Sequence, residues 1–313
     1  MPHALLLEGP DGVGKMRAAR ILARILLCRE PVSPTEACGR CDACRKMDAE
    51  THADFTIVTT DARSIKVAEI REAERALRLR PLEGPRKVMV FEDVHRVTVE
   101  GQNALLKTLE EPPGATHLIL TTSRIRFLVA TVVSRCQRVG FGPIPEPDLV
   151  AELVEADGLD AEAAQLVAAL SHGSLGHARG WDVESLLARR DLVASWDDRL
   201  DPRHPSAAAA LEAARDSAAD RTELMEMLDL WLVWLRDQLL RSEGSDQPIA
   251  SADRRSDIER LAARGSREIL RRARSVLEAR RQLDLPYNLN AQMVAEQLCL
   301  TLAGHGRMVH VPA

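Results

Sequence analysis

Aromatic side chains are scarce in this chain, at 3% of 313 residues with a single Tyr. A stacking platform for single-stranded nucleic acid, which needs rings in series, is therefore not expected. Lysine is also rare, and all five lie at or before Lys107, so Arg carries the positive charge of everything that follows. The net charge of -5 gives no global electrostatic case for binding nucleic acid. No apolar run approaches the ~20 residues that span a bilayer. The start, Met1-Pro2-His3 and a short apolar run closing at Glu8, has neither a basic stretch nor a small-residue cleavage site. A soluble, cytoplasmic chain without a membrane partner is expected. Sequence repeats are missing, and low complexity is limited to Ala207–Ala210. A 45% hydrophobic content over this length can bury a sizeable core in two or three domains.

Cysteine is present but clustered. Four of the six are Cys28, Cys38, Cys41 and Cys44, while Cys136 and Cys299 stand alone. In a cytosolic chain, thiols at two-residue spacings favour a metal over disulfides. Four thiolates suit a closed, tetrahedral, structural Zn²⁺ site with no open position for catalysis.

Just before this cluster, Ala4 to Glu8 reads as a buried strand. It is followed by Gly9-Pro10-Asp11-Gly12-Val13-Gly14-Lys15 and a helix from about Met16 to Leu27. Gly-x-x-x-x-Gly-Lys between strand and helix is the context of a phosphate-binding loop. Its backbone N–H groups and helix N-terminus cradle phosphates, and Lys15 adds a point charge. Met16, however, stands where a Ser or Thr hydroxyl would hold Mg²⁺, and a thioether is a poor ligand for a hard cation. The loop therefore reads either as an ATP or ADP site with weak Mg²⁺ binding or as a strand-to-helix turn kept for the fold.

Further strands are expected at Phe55–Val58 and Val88–Phe91, with an amphipathic helix from Ile65 to Arg80 between them. The second of these strands ends in the acidic pair Glu92-Asp93. Gly101 to Cys136 is the most informative stretch. Ala104, Leu105, Thr108 and Leu109 recur at helical spacing, and Pro112-Pro113 stops the helix. An apolar strand, His117 to Leu120, follows, with Thr121 and Thr122 emerging at its carboxyl end, where open α/β sheets place ligands. Phe141 to Pro147 reads as a hinge, and Leu200 to Ser206 as a linker. Most of the remainder is helical. Leu224, Met227, Leu228, Trp231, Trp234 and Leu235 form a core stripe. Glu243 to Ser251 reads as a polar loop, and Arg254 to Arg281, ten Arg against four acids, as a solvated face.

"NALLKTLEEPP", then "LILTTS", then "SRC" resembles the bacterial DNA polymerase III clamp-loader family, in its gamma/tau and delta-prime subunits. The resemblance covers residues 4 to 180 strongly and the last third weakly. It implies an α/β plus all-α chain: an AAA+ P-loop parallel-sheet domain at 1–142 with a zinc module at 28–44, a helical lid at 143–200 and a helical collar at 207–313. The ending from Asn288 to Leu302 is similar to the collar helix through which such subunits join. The resemblance also makes Thr122 a phosphate sensor. Arg135 in Ser-Arg-Cys becomes an arginine finger acting in trans on a neighbour's ATP, and Gly173-Ser174-Leu175 becomes the start of a second sensor helix. Three departures oppose hydrolysis by this chain: Met16, Glu92-Asp93 in place of Asp-Glu, and Gly176 where hydrolysing relatives carry Arg. The family reading is thus a non-hydrolysing stator of the delta-prime type. Its expected partners are gamma/tau and delta subunits, the sliding clamp and primer-template DNA. An ATP-hydrolysing gamma/tau motor is one alternative, although a tau-length extension is not expected. A stand-alone zinc and DNA-binding protein with a relict nucleotide fold is the other.

Overall fold

The computed structural model describes residues 2–60, 62, 64–203, 205–216, 220–284, 289–306 and 308. His204 of the linker and Asn288 at the start of the collar-like ending lie outside them. The chain divides into two compact units, one of Met1–Ile144 with Ser174–Gly176, the other of Pro145–Gly173 with His177–Ala313.

The first unit runs β1 (Ala4–Glu8), α1 (Lys15–Leu27), α2 (Asp42–Asp48), β2 (Phe55–Val58), α3 (Val67–Leu77), β3 (Lys87–Phe91), α4 (Val99–Glu110), β4 (Thr116–Thr122), α5 (Ala130–Val133) and β5 (Gln137–Gly140). The strands form one parallel sheet in the order β2-β3-β4-β1-β5. Both faces of β1, β3 and β4 are covered, which is why these strands read as continuous apolar runs. Alternate side chains serve opposite cores. Leu6, Met89, Phe91, Leu118 and Leu120 pack with Ile70, Leu77, Leu105 and Leu109 of α3 and α4. Leu5, Leu7, Val88, Val90 and Ile119 pack with Ala19, Ala23, Leu26 and Leu27 of α1. The fourth strand is longer than expected: Thr121 and Thr122 belong to it and are buried, not emergent. The third helix is shorter than Ile65–Arg80, because Ile65 bridges to Val97 as extended chain before the helix begins.

Polar groups fix the connections. Asp54 is buried and accepts the N–H groups of Leu82, Glu83 and Gly84 at 2.7, 2.8 and 3.0 Å, which sets the turn leading into β3. Thr98 caps α4 by accepting the Gly101 N–H at 3.3 Å. A Cβ at Gly101 would lie 2.7 Å from Val97 Cγ1, so that turn admits only glycine without a shift. Buried Gln102 donates to the carbonyls of Val97 (3.0 Å) and Phe127 (3.2 Å) and accepts the Val129 N–H (2.8 Å), tying α4 to the approach to α5.

The second unit holds α6 (Glu146–Glu155), α7 (Ala161–Leu170), the second half of the short α8 (Leu175–Ala178), α9 (Val183–Arg199), α10 (Ala207–Asp216), α11 (Arg221–Ser242), α12 (Arg255–Ala262), α13 (Ser266–Asp284) and α14 (Ala291–Leu302). The first of these starts at Glu146, inside the expected hinge, with Pro147 in its first turn, where a missing N–H costs nothing. The stripe on α11 is core as expected, and Trp231 packs against Trp196 with ring centroids 6.1 Å apart. Two readings change. The Glu243–Ser251 loop ends in buried Ile249, Ala250 and Ser251, and the Ser251 N–H donates to Asp237 at 3.0 Å. The Arg254–Arg281 stretch is not all solvated face. The Arg272 side chain is 0% exposed and that of Arg264 6%, because both serve the fully buried Asp197 of α9. Arg272 Nε donates to Asp197 Oδ1 at 2.9 Å and Arg264 Nη1 to Oδ2 at 3.0 Å, while Gln238 Nε2 donates to Oδ2 at 2.8 Å.

Candidate nucleotide and metal sites

The glycine loop connects β1 to α1 and is held against the sheet: the Gly9 N–H donates to the Thr122 carbonyl at 3.1 Å. Gly9 has φ 153°, and a Cβ there would lie 2.1 Å from the Phe141 carbonyl oxygen, so only glycine lets β1 turn here. Gly12 and Gly14 also have positive φ, and Gly14 ends the loop in a left-handed conformation before α1. Between them run Pro10, Asp11 and Val13, of which Asp11 is exposed and Val13 buried.

Lys15 opens α1 with 6% of its side chain exposed and donates to the loop's own carbonyls, Gly9 at 2.8 Å and Pro10 at 2.5 Å. Burial lowers its pKa, and the charges of Asp11 and Asp93 oppose that shift. Met16 does not face the loop as a ligand would. Its Sδ lies 4.0 Å from the buried Thr121 hydroxyl, and its side chain packs with the α1-side core.

Glu92 and Asp93 follow β3 directly. The Glu92 N–H donates to the Val58 carbonyl at 3.0 Å, and the chain turns left-handed at Asp93, φ 49°. The Thr121 hydroxyl holds that turn by accepting the Asp93 N–H at 3.0 Å. Thr122 shares a 3.2 Å hydrogen bond with His95 Nδ1 and accepts the Arg124 N–H at 3.1 Å. Burial lowers the His95 pKa, Asp93 opposes this and Arg124 adds to it. A neutral imidazole is therefore the form that meets Thr122 at neutral pH. The residues singled out from the sequence, Gly9 to Met16 with Glu92, Asp93 and Thr122, thus gather at the carboxyl edge of β1, β3 and β4. Thr121, expected beside Thr122 at the strand end, joins them, as do His95 and Arg124, which had not been singled out. A lone His and a lone Arg carry no pattern, and the partner of His95 lies about one βα unit away in the chain.

Gly176 touches the same loop. Its N–H donates to the Gly12 carbonyl at 3.0 Å, and a Cβ at Gly176 would stand 3.0 Å from Gly12 Cα. An Arg side chain at 176 would have to displace the loop, which gives the missing Arg a steric reason. Arg179, one turn on, is engaged elsewhere, donating to Asp157 at 2.9 Å and Glu152 at 3.3 Å.

Arg135 follows α5 at the surface. Its Nε donates to Glu110 Oε1 at 2.6 Å, and its Nη1 to the Thr131 carbonyl at 2.9 Å. Neighbouring Cys136 is pushed up to about 11 by burial, as Cys299 is to about 12, so both are inert thiols.

The Sγ atoms of Cys28, Cys38, Cys41 and Cys44 all lie within 4.8 Å of one another. Cys28–Cys38, Cys28–Cys41 and Cys38–Cys44 are 3.6, 3.9 and 4.0 Å apart. Four thiolates ~2.3 Å from a shared ion stand roughly 3.8 Å apart, so the donor set fits a tetrahedral metal and includes Cys28 on equal terms. The end of α1 supplies Cys28 and the start of α2 supplies Cys41 and Cys44, with Gly39 turning left-handed (φ 71°) between them. Burial raises Cys41, but the N–H groups of Arg29 and Cys44 outweigh it and bring the thiol down to about 6. Burial pushes Cys44 up to about 12 against the pull of the Arg24 guanidinium. A metal bound here would have to displace the Cys44 proton.

Two family models match the chain: one described as DNA polymerase III, delta subunit, over residues 1–145, and one described as DNA polymerase III, delta subunit, C terminal, over residues 188–303. DNA polymerase III subunit delta' of Pseudomonas aeruginosa is 31% identical over 310 residues, covering 96% of this chain and 92% of that protein. The Bacillus subtilis subunit delta' is 28% identical over 304 residues, covering 96% and 91%. Subunit tau of B. subtilis is 34% identical, but over 182 residues, covering 56% of this chain and 32% of that protein.

Proposed function

Because the chain belongs to the DNA polymerase III clamp-loader subunit family of delta-prime and gamma/tau proteins, we propose that it is the delta-prime type: a stator with little or no ATPase activity of its own. In this reading it joins gamma/tau and delta subunits into a loader that places a sliding clamp on primed DNA. Residues 1–142, 143–200 and 207–313 act as nucleotide-fold, lid and collar domains. Arg135 is presented to the neighbouring motor's ATP.

The observation that carries the reading is the contact of Gly176 with Gly12. It fills the side of the loop from which a second phosphate-facing Arg would reach, and it engages a loop carbonyl. Met16, turned to Thr121, leaves the Mg²⁺ hydroxyl missing. Glu92 and Asp93 stand in the reverse of the Asp-Glu order, and Asp93 is itself the left-handed residue of the turn. Gly9 to Lys15 and Thr122 remain able to hold ATP or ADP through backbone N–H groups and the Lys15 ammonium. Nucleotide would then serve structure more than turnover.

The isolated chain is expected to show no ATP turnover above a blank, and Met16→Ser alone is not expected to create any. It is also expected to co-elute from size exclusion with gamma/tau and delta subunits. Sustained hydrolysis by the purified chain would show a motor, and failure to co-elute would favour the stand-alone zinc protein.

The thiol cluster is assigned to one structural Zn²⁺, held by Cys28, Cys38, Cys41 and Cys44, which pins the end of α1 to α2. Protein purified without added metal should contain one equivalent of zinc, and Cys41→Ser should lose it together with protection of residues 28–48 from proteolysis. A Cys41→Ser protein with its zinc and its protease resistance intact would refute this ligand set.

A further inference from the structure

The four thiols differ in their surroundings. Cys28, Cys38 and Cys41 are half-buried, whereas Cys44 is 0% exposed. Backbone N–H groups serve the outer sulfurs: Cys38 donates to Cys28 Sγ and Cys41 to Cys38 Sγ, both at 3.3 Å. The buried Cys44 sulfur also meets a charged side chain, the guanidinium of Arg24. Both helices of the module place that side chain. Arg24 sits on α1 one turn before Cys28, whose N–H donates to the Arg24 carbonyl at 2.9 Å. From there it reaches α2, where Nη2 donates to Asp48 at 3.0 Å. It passes the turn between Cys38 and Cys41, since a Cβ at Gly39 would lie 3.5 Å from Nη2.

Other cations of the module are engaged away from the sulfurs. Arg29 donates to the Glu83 carbonyl at 2.8 Å, Lys46 to the Glu83 carboxylate at 2.9 Å and Arg45 to the Arg40 carbonyl at 2.8 Å. The Arg24 Nε, in contrast, is shut off from water without an acceptor, so the guanidinium has donor capacity left. Charge gives that capacity a use. Metal binding requires thiolates, and four of them carry two negative charges more than Zn²⁺ neutralises. Water reaches the three half-buried cysteines and screens their share of the excess. It does not reach Cys44, where an uncompensated charge is costly. A guanidinium brings positive charge and N–H donors together, and it stays charged at every working pH.

On the zinc assignment made above, we infer that Arg24 is the outer-shell cation of the site. It donates to the Cys44 thiolate, balances its charge and thereby sets how tightly the metal is held. Asp48 orients the guanidinium from the far side and is not itself needed by the metal.

Zinc affinity of the full chain, measured by competition with a chromophoric chelator, tests this together with the spectrum of the Co²⁺-substituted protein. Arg24→Met should weaken zinc binding by ~10–100-fold, the cost of losing an outer-shell partner. Its sulfur-to-cobalt charge-transfer band should move to longer wavelength, because a thiolate without its N–H donor holds its electrons less tightly. Arg24→Lys keeps the charge and a donor, and should recover part of both. Asp48→Ala should leave both near wild type, since a pair at 32% and 55% exposure contributes little. If Arg24→Met does not fold, the band of Arg24→Gln, which keeps length without charge, gives the same measurement. Unchanged affinity and band in a folded, uncharged variant would overturn the role of Arg24. So would an affinity loss in Asp48→Ala equal to that of Arg24→Met with neither band moved, which marks Arg24 as a tie between α1 and α2. A wild-type chain that takes up neither metal would instead remove the zinc assignment itself, and the role of Arg24 with it.

Discussion

Replacing Arg135 with Ala is expected to lower ATP hydrolysis by the neighbouring motor subunit by ~10³-fold or more, the range over which arginine fingers act. The chain itself should stay folded and assembled. Arg135 is one-third exposed and pairs with the half-exposed Glu110, and such surface pairs contribute about 0–1 kcal/mol to stability. The same weakness lets the guanidinium leave Glu110 when a triphosphate offers more negative charge. Glu110 is the last residue of α4, where the helix dipole disfavours an acid, and Arg135 offsets that charge while no nucleotide is presented. Arg135→Lys keeps the charge but loses the planar fork, so partial activity is expected. The measurement is steady-state hydrolysis at saturating ATP by a loader assembled from variant chain, wild-type partners, clamp and primed DNA. Wild-type turnover from the Arg135→Ala assembly would reduce Arg135 to a surface residue.

Sequence carried the sheet unit well and the helical unit less well, for physical reasons. Strands buried on both faces must be apolar throughout, so Ala4–Glu8 and Val88–Phe91 stand out locally. The glycine loop is equally local, since each positive φ demands its own glycine. What stayed hidden depends on residues far apart in the chain. His95 shows its place only once Thr122, 27 residues on, faces it. Gly176 could be read as a missing Arg, but not as a residue pressed on Gly12. Basic residues from Arg254 to Arg281 looked alike in sequence. The carboxylate that buries two of them lies 67 and 75 residues earlier in the chain.

That carboxylate is the most sensitive point of the helical unit. Asp197→Ala is expected to destabilise the unit by roughly 3–5 kcal/mol, because it leaves the buried Arg272 and Arg264 charges without their counter-ion. Beyond Arg264, Arg272 and Gln238, the carboxylate also accepts from Trp231 Nε1 at 3.5 Å. Its removal therefore loosens α9 from α11 and α13 together. Asp197→Asn keeps the shape but turns a partial positive charge toward two guanidinium groups, so it should fare little better. Burial pushes the Asp197 pKa up, but Arg272 and Arg264 outweigh it and leave the pKa below its ordinary value. A carboxyl depressed in the folded state stabilises fully above the unfolded pKa of ~3.9, and that contribution drains as pH falls through the lower folded value. Wild type should therefore lose its advantage over Asp197→Ala only in strong acid. All four Trp lie in this unit, so urea unfolding followed by Trp fluorescence reports it apart from the sheet unit. Arg272→Met in the Asp197→Ala background should cost less than the two single changes summed, since it removes one of the stranded charges. A single Asp197→Ala shift below about 1 kcal/mol at neutral pH would mean that water or a rearranged helix end takes the carboxylate's place, and that this network does not hold the unit together.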